Sequence, residues 1–205
     1  MARSRWLVAV ALAMSVLGSG RNASAEILHG QYSFPGKLQL GIRPLGAQVF
    51  LTSCGGPGGG GGFGCYSVGT YKFGIDFSGK IWENPKLTLW LGGEFNLGGV
   101  ANLAQIELGI FAMMTFEKLI PRIPLVPHAM AGLTFPINVL YGFPGGGNFT
   151  TGGFGVKIGG GAYYYLIKML GVGGEMHFAF AGAFGNGGSA WAGFWDFLAG
   201  IRLSF

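Results

Sequence analysis

Side chains that could perform acid–base chemistry are few, since only 10% of the chain is charged and it has three histidines. His177 follows Glu175 by two residues, so in a strand both side chains point to the same face. Asp196 lies in the next segment that the sequence pattern predicts to be a strand, and we expect its side chain to be on the same side of the sheet as those of Glu175 and His177. A histidine beside carboxylates can act as a general base. The alternative, which we favour, is a histidine held within a cluster of ion pairs, so we predict no enzyme activity.

Other ligand-binding patterns in the sequence are weak. His29, His128 and His177 are scattered and have no carboxylate at metal-ligand spacing. His128, which follows Pro127, is predicted to be a turn residue. The glycine run after Cys54 lacks the Gly-Lys-Ser/Thr ending of a phosphate-binding loop. We therefore predict no metal site and no cofactor.

Two cysteines, Cys54 and Cys65, flank that glycine-rich run. In an exported protein, two cysteines so close in sequence most simply form a disulfide bond. The bond would close a loop of about a dozen residues and stabilise the fold by at most roughly 3 kcal/mol. We interpret the run as a flexible loop that the disulfide closes at its base.

The first residues have the pattern of an export signal. Arg3 and Arg5 precede the apolar run Trp6–Leu17, and the small-residue motif Ala23–Ala25 is a cleavage site. A membrane helix is the alternative, but the run has about 12 residues and a span needs about 20. We predict a signal peptide at 1–25 and a single folded domain at 26–205.

Removal of the leader changes the charge of the chain. The whole sequence has 13 Lys and Arg against 8 Asp and Glu, and loss of Arg3, Arg5 and Arg21 leaves ten against eight, a net charge of +2. No basic nucleic-acid-binding surface survives, so no nucleic-acid partner is expected. The chain also combines 42 glycines with an aromatic content of 15%, whereas disordered glycine-rich chains are poor in aromatic residues.

Hydrophobic alternation with a period of two runs through most of the chain after the leader. It is clearest in Trp191–Phe205, where every second residue back from the end is apolar. Leu103–Glu117 also has the composition of a helix, but its unbroken alternation favours a strand. Pro44 predicts a bulge or a split in the first strand. The predicted strands are Lys37–Leu51, Val68–Ile81, Lys86–Leu97, Leu103–Glu117, His128–Ile137, Gly153–Leu166, a seventh around Glu175–Phe180, and Trp191–Phe205.

Charged side chains decide which face of these strands is inside. They share one face, and the opposite face is apolar throughout. A soluble barrel would place the apolar face inward and the charged face toward water. In a membrane barrel the charged face cannot point outward, because each cation on a lipid-facing surface would cost a few kcal/mol near the membrane midplane. The charged face therefore points into the lumen. The predicted fold class is all-β, an eight-stranded antiparallel up-and-down transmembrane β-barrel.

The predicted lumen is filled rather than open, because eight strands leave an interior just wide enough for side chains. Both signs of charge are present on the inward face, so we predict an ion-paired plug. The alternation of longer and shorter connections along the chain agrees with an even number of strands. The residues of the predicted lumen ion-pair network are Arg43, Lys72, Asp76, Glu94, Glu107, Lys157, Glu175, His177, Asp196 and Arg202, with Lys80 on the same face.

The end of the chain resembles a known signal. Gly200, Leu203 and Phe205 are similar to the assembly signal of bacterial outer-membrane proteins, with Leu198 at a position that is usually polar. With the leader and the strand pattern, the chain resembles the small eight-stranded outer-membrane barrels typified by OmpX and the OmpA transmembrane domain. The resemblance implies a bacterial outer-membrane location, contact with outer-membrane lipid and lipopolysaccharide, and recognition by the barrel-assembly machinery through the last strand.

The resemblance leaves several functions open. We favour a structural or surface-interaction protein that contacts an unknown surface ligand through the Cys54–Cys65 loop and the Asn138–Thr151 loop. The first alternative is a narrow channel for small or hydrophobic solutes. The second is a lipid A-modifying enzyme, for which the family has precedents, although no serine lies two residues from any histidine as the deacylase pattern requires.

Overall fold

The computed structural model describes residues 36–54, 62–63, 69–84, 86–100, 103–117, 119–120, 123–140, 149–185 and 188–205. These residues form antiparallel strands, and they include no helix long and apolar enough to cross a membrane. The strands are β1 (Leu38–Cys54), β2 (Gly62–Phe63), β3 (Gly69–Glu83), β4 (Thr88–Val100), β5 (Leu103–Thr115), β6 (Leu125–Leu140), β7 (Phe149–Ile167), β8 (Leu170–Gly185) and β9 (Gly188–Ser204).

Pairing of β1 with β9 closes the sheet into a barrel. β1 pairs with β3, and from β3 to β9 each strand pairs with the next along the chain. The two-residue strand β2 only extends the loop end of β1. At the seam, Leu38 and Phe205 exchange backbone hydrogen bonds of 2.9 and 3.0 Å. The prediction of an eight-stranded antiparallel up-and-down barrel is confirmed, and closure leaves the barrel without an exposed strand edge.

β5 is a strand along its whole length, so the helical alternative for this segment is excluded. Every residue from Leu103 to Thr115 pairs with a residue of β4 and with one of β6. Its side chains alternate between buried and exposed from Gln105 onward. The mutual pairing overrides the helical propensity of its alanine, leucine and methionine residues.

The prediction that His128 is a turn residue is wrong. β6 begins at Leu125, so His128 lies within the strand and its side chain is buried inside the barrel. The preceding Pro127 is tolerated because its carbonyl still accepts a hydrogen bond, from the amide of Phe116 at 2.9 Å. Proline at this strand position removes a donor without ending the strand.

A bulge interrupts β1 at Pro44, as expected for proline within a strand. The register against β9 shifts between Ile42 and Leu45, and the register against β3 shifts between Arg43 and Ala47. Tyr71 donates its hydroxyl hydrogen to the carbonyl of Pro44. The bulge changes the phase of the alternation, so Arg43 and Gln48 both point inward although five positions separate them.

The outer wall of the barrel is apolar. Its large side chains, such as Leu108, Ile110, Val156 and Ile158, are about half exposed. Each barrel strand has 13 to 19 residues, and a tilted strand needs about 9–11 to cross a membrane. The wall is therefore both apolar enough and tall enough to face lipid on all sides.

The two ends of the barrel differ. One end, here called the loop end, has the connections 55–68, 101–102, 141–148 and 186–187. The other, the turn end, has the connections 84–87, 116–124 and 168–169. Outer-membrane barrels direct their longer loops outward and their short turns toward the periplasm, so the turn end corresponds to the periplasmic side.

Candidate functional site

The candidate site is the charged interior of the barrel. The structure places all ten residues of the predicted lumen network there, and none is more than 6% exposed. Seven different strands supply these side chains. On each strand successive side chains point to opposite faces, and the charged ones are on the face that points inward. The ten are Arg43, Lys72, Asp76, Glu94, Glu107, Lys157, Glu175, His177, Asp196 and Arg202.

Lys157 joins carboxylates of two other strands at the centre of the lumen. Its Nζ lies 2.5 Å from Glu94 Oε1 and also binds Glu107. Glu107 in turn binds Lys72 Nζ at 2.5 Å and accepts a hydrogen bond of 2.8 Å from Thr134. The lysine contacts run across the lumen and connect strands that are not neighbours in the sheet, whereas Thr134 lies on β6, next to β5.

Toward the loop end, Lys72 extends the network to Asp196, with its Nζ 2.6 Å from Oδ2. Gln48, which lies beyond the β1 bulge, donates to Asp196 Oδ1 at 2.8 Å. The ring of Phe194 lies 5.5 Å from Lys72 Nζ and packs beside Ala179. The uppermost charges of the network are therefore covered by an aromatic ring and an amide.

Toward the turn end, two arginines share two carboxylates. Arg43 lies 3.5 Å from Asp76 and from Glu175, and Arg202 lies 3.2 and 3.5 Å from the same two groups. Arg43 is also 3.3 Å from Glu94, which connects this group to the centre. The result is one continuous network of four cations and five carboxylates.

Glu175 is the carboxylate with the largest number of different partners. His177 Nε2 lies 2.9 Å from its Oε2, and His128 Nε2 lies 3.5 Å from the same oxygen. Tyr163 donates its hydroxyl hydrogen to Oε1 at 2.6 Å, and its ring stacks on His128 with centroids 5.5 Å apart. Together with both arginines, these groups surround Glu175 completely.

The possible general base is only partly assembled. The structure brings His177 and Glu175 together, but Asp196 is bound by Lys72 and Gln48. The side chains of His177 and Glu175 are fully buried. Among the described residues, no group of His, Cys, Asp and Glu side chains could hold a metal ion.

An apolar cluster closes the turn end of the lumen. Trp90 is fully buried within it and donates its indole N–H to Thr115 at 3.0 Å. The guanidinium of Arg202 lies 4.7 Å from the ring centroid of Tyr163, so the cluster also covers the network from below. Its members are Trp90, Phe111, Met113, Val126, Met130, Tyr163 and Tyr165.

Lys80, on the inward face near the turn end, lies outside the central network. It pairs with Glu83 at 2.9 Å, and its Nζ lies 5.6 Å from the centroid of the Trp90 ring. Its charge is thus neutralised locally at the mouth of the barrel.

Sequence reasoning missed several polar members of the network, among them His128 and Gln48. Within the predicted strand His128–Ile137, His128 alternates with the apolar residues Ala129 and Ala131, so the alternation alone could have identified it as inward. Gln48 is inward by the same rule once the phase change at Pro44 is counted. In both cases a proline obscured the pattern.

The three residues of the assembly signal lie in or just after β9. A Cβ on Gly200 would lie only 2.7 Å from Arg43 Cα, so glycine is needed where the bulge of β1 approaches this strand. Leu203 pairs with Leu40 and with Leu170, and Phe205 is 47% exposed on the outside of the seam.

The remaining predicted features fall outside the described residues. Cys54 ends β1, but its side chain and all of Cys65 are not described, so the disulfide stays a prediction. The predicted signal peptide at 1–25 stays a prediction for the same reason. Of the second predicted surface loop, 141–148 also lie outside.

Comparison with known proteins identifies the fold. No protein-family model matches the chain, and no curated protein matches it. Among solved structures the chain is similar to Neisserial surface protein A, with a TM-score of 0.57 and 14% identity over 82% of this chain and 96% of that one. It also matches OprG of Pseudomonas aeruginosa (TM-score 0.49, 12% identity, 83% and 96% covered) and the N-terminal barrel of OprF of the same organism (0.47, 12%, 86% and 99%).

The fold is that of the small outer-membrane barrels. At this level of identity, the similarity concerns the fold alone. The location follows from the fold together with the wall: a closed barrel with an apolar exterior and a charged interior is built to sit in lipid, and such barrels are found in outer membranes. The predicted outer-membrane location therefore agrees with the structure.

Proposed function

We propose that the protein is a non-conducting integral barrel of the bacterial outer membrane, which serves a structural or surface-interaction role and has no catalytic centre. The observation that supports this proposal is the continuous ion-pair network. The network extends through the lumen from Asp196 to Asp76. Phe194 lies on its loop-end side, and the apolar cluster that contains Trp90 lies on its turn-end side.

Passage of an ion would require the network to separate. Lys157 and Lys72 are each bound by two carboxylates at distances of 2.6 Å or less. Removing one partner from a buried ion pair costs about 3–5 kcal/mol, because the other charge is left uncompensated. A path through the centre would break several such pairs together, so the closed state is strongly favoured.

Planar-bilayer recording tests the proposal. The folded protein should insert without producing steady single-channel currents, while an open porin recorded in the same membranes serves as the positive control. Steady currents of uniform amplitude would overturn the proposal and support the narrow channel instead. Heat-unfolded protein is the matched control for leakage caused by unfolded chains.

The channel alternative has one feature in its favour. Polar side chains line both mouths of the barrel: Gln39, Ser78 and Ser204 lie buried at the turn end, and Gln48 and Thr70 toward the loop end. These groups are compatible with entry of water or a small solute. The central network and the apolar cluster are the reason that we rank this function second.

We further propose that His177 is not a catalytic residue. His177→Ala should leave the lipid A acylation pattern of cells unchanged, because the imidazole is sealed against Glu175 inside the lumen. Mass spectrometry of lipid A from cells that express the variant or the wild type makes the comparison. A change in acylation in the variant alone would support an enzyme.

The surface role itself is proposed through the two longest connections at the loop end, 55–68 and 141–148. We propose that outer-membrane lipid and lipopolysaccharide surround the barrel, and that the assembly machinery recognises the last strand through Phe205. Deletion of Phe205 should then slow assembly in cells more than folding in vesicles, which a pulse-chase gel-shift assay and a refolding assay measure separately.

A further inference from the structure

Charged residues are distributed very unequally between the two ends of the barrel. The connections at the loop end, 55–68, 101–102, 141–148 and 186–187, contain no charged residue. Every charge of the chain after the leader that lies outside the lumen network is in the segment 26–37, which precedes β1, or near the turn end. The basic ones are Lys37, Lys80, Lys86, Lys118, Arg122 and Lys168, and the acidic ones are Glu26, Glu83 and Glu117.

Two of the lysines near the turn end, Lys37 and Lys86, are not neutralised by the acidic side chains that the structure describes there. Glu83 pairs with Lys80, so those two charges cancel. Glu117 is buried and accepts a hydrogen bond from Thr115. Lys37 and Lys86 are exposed, and among the described residues neither makes an ion pair. The turn end therefore presents free ammonium groups.

Lys37 and Lys86 both lie at the turn end, where the apolar wall of the barrel ends. Lys37 immediately precedes β1, and its carbonyl accepts a hydrogen bond from the amide of Lys80 in β3. Lys86 lies in the turn between β3 and β4. Trp82 of β3, at the same end of the barrel, is 51% exposed on the outer wall and pairs with Leu89. Tryptophan beside lysine is the usual composition of a membrane interface.

We propose that this basic rim, formed by Lys37 and Lys86 around Trp82, binds the phosphate headgroups of anionic phospholipids in the periplasmic leaflet. Each lysine close to an anionic membrane surface contributes about 1 kcal/mol, roughly a fivefold preference over a neutral headgroup. The loop end has no such groups, so the preference belongs to one leaflet only.

Two tryptophans on opposite rims allow the proposal to be tested within one chain. Trp82 reports the turn end, and Trp191, 49% exposed, reports the loop end. One probe variant keeps Trp82 and carries Trp191→Phe and Trp195→Phe, and the other keeps Trp191 and carries Trp82→Phe and Trp195→Phe. Trp90 remains in both as an unquenched background, because it is fully buried in the lumen.

The mature, folded protein is placed in vesicles that mix phosphatidylcholine and phosphatidylglycerol, with only one of the two lipids brominated. Brominated phosphatidylglycerol should quench Trp82 several-fold more effectively than brominated phosphatidylcholine, and the two should quench Trp191 equally. Lys37→Gln with Lys86→Gln should abolish the difference at Trp82. Salt near 1 M should reduce it, since the Debye length falls to about 3 Å.

A gain-of-function variant shows that the assay detects a single lysine. Thr150 is exposed on the loop end of β7, on the same outward face as Phe154, which contacts Trp191. Thr150→Lys should create a preference for phosphatidylglycerol at Trp191. Equal quenching of Trp82 by both lipids, with the Thr150 variant responding, would overturn the proposal. Binding to purified peptidoglycan that is lost in the lysine variants, without any lipid preference, would assign the rim to the cell wall instead.

Discussion

Lys157→Met is the substitution that should most directly expose the energetics of the lumen. The wild-type network has four cations against five carboxylates, and the variant has three against five. Glu94 keeps only Arg43 at 3.3 Å, and Glu107 keeps Lys72 and Thr134. Methionine is similar to lysine in length, so the loss is mainly of charge. Loss of one member of a buried pair predicts destabilisation by about 3–5 kcal/mol.

Urea unfolding in phosphatidylcholine vesicles, followed by tryptophan fluorescence, measures this change. The matched control is Lys86→Met, an exposed lysine that should shift the unfolding free energy by no more than about 0.5 kcal/mol. A second arm is the triple variant Glu94→Gln, Glu107→Gln, Lys157→Met, which restores a balance of three cations and three carboxylates. It should recover more than half of the loss, because residues in one network are not additive.

Two results would refute this reasoning. If Lys157→Met unfolds within about 1 kcal/mol of the wild type, the network contributes little to stability and water must replace the missing ammonium. If the triple variant is no more stable than Lys157→Met alone, the loss comes from packing and not from uncompensated charge.

Three further predictions concern packing, folding and the undescribed loop. Gly161→Ala should lower the free energy of unfolding by about 1–3 kcal/mol, because a Cβ there would lie 2.7 Å from Glu175 Cα. The control Gly152→Ala should be neutral, because a Cβ there would have open space around it. Equal urea midpoints for the two variants would contradict this prediction. The folded barrel should migrate differently on gels before and after heating, and identical migration would contradict the fold. Mass spectrometry without reductant should find Cys54 linked to Cys65, and free thiols would exclude the disulfide.

The sequence predicts the faces of the strands better than their ends. Alternation places Lys72, Glu107 and Lys157 inward because a charge that faced lipid would be strongly unfavourable. Once one charged side chain is inward, the period of two determines the direction of every other side chain in that strand. The same rule fails where proline intervenes, as at His128, because proline signals a turn in most contexts and only pairing with β7 shows that the strand continues. Strand pairing is a non-local interaction, so single-sequence patterns do not determine it.

Which charges bind each other could not be predicted at all. Lys157 binds Glu94 and Glu107, which lie 63 and 50 positions earlier in the chain. Such partners are set by the stagger of strands around the barrel, which fixes the residues that meet at one height. A listing of inward charges gives the composition of the network, and only the closed barrel gives its connections.

The lumen charges also affect how the unfolded chain crosses the inner membrane. Glu107 is the only charged residue of β5, a segment whose other residues, from Leu103 to Thr115, suit an apolar helix. A chain that must pass the inner membrane cannot contain long apolar segments, because about 20 consecutive apolar residues would be retained there as a helix. A charge such as Glu107 within an otherwise apolar segment disfavours such retention, and the finished barrel then neutralises that charge against Lys72 and Lys157. The folded barrel thus neutralises the same charges that keep segments of the unfolded chain from being retained in the inner membrane.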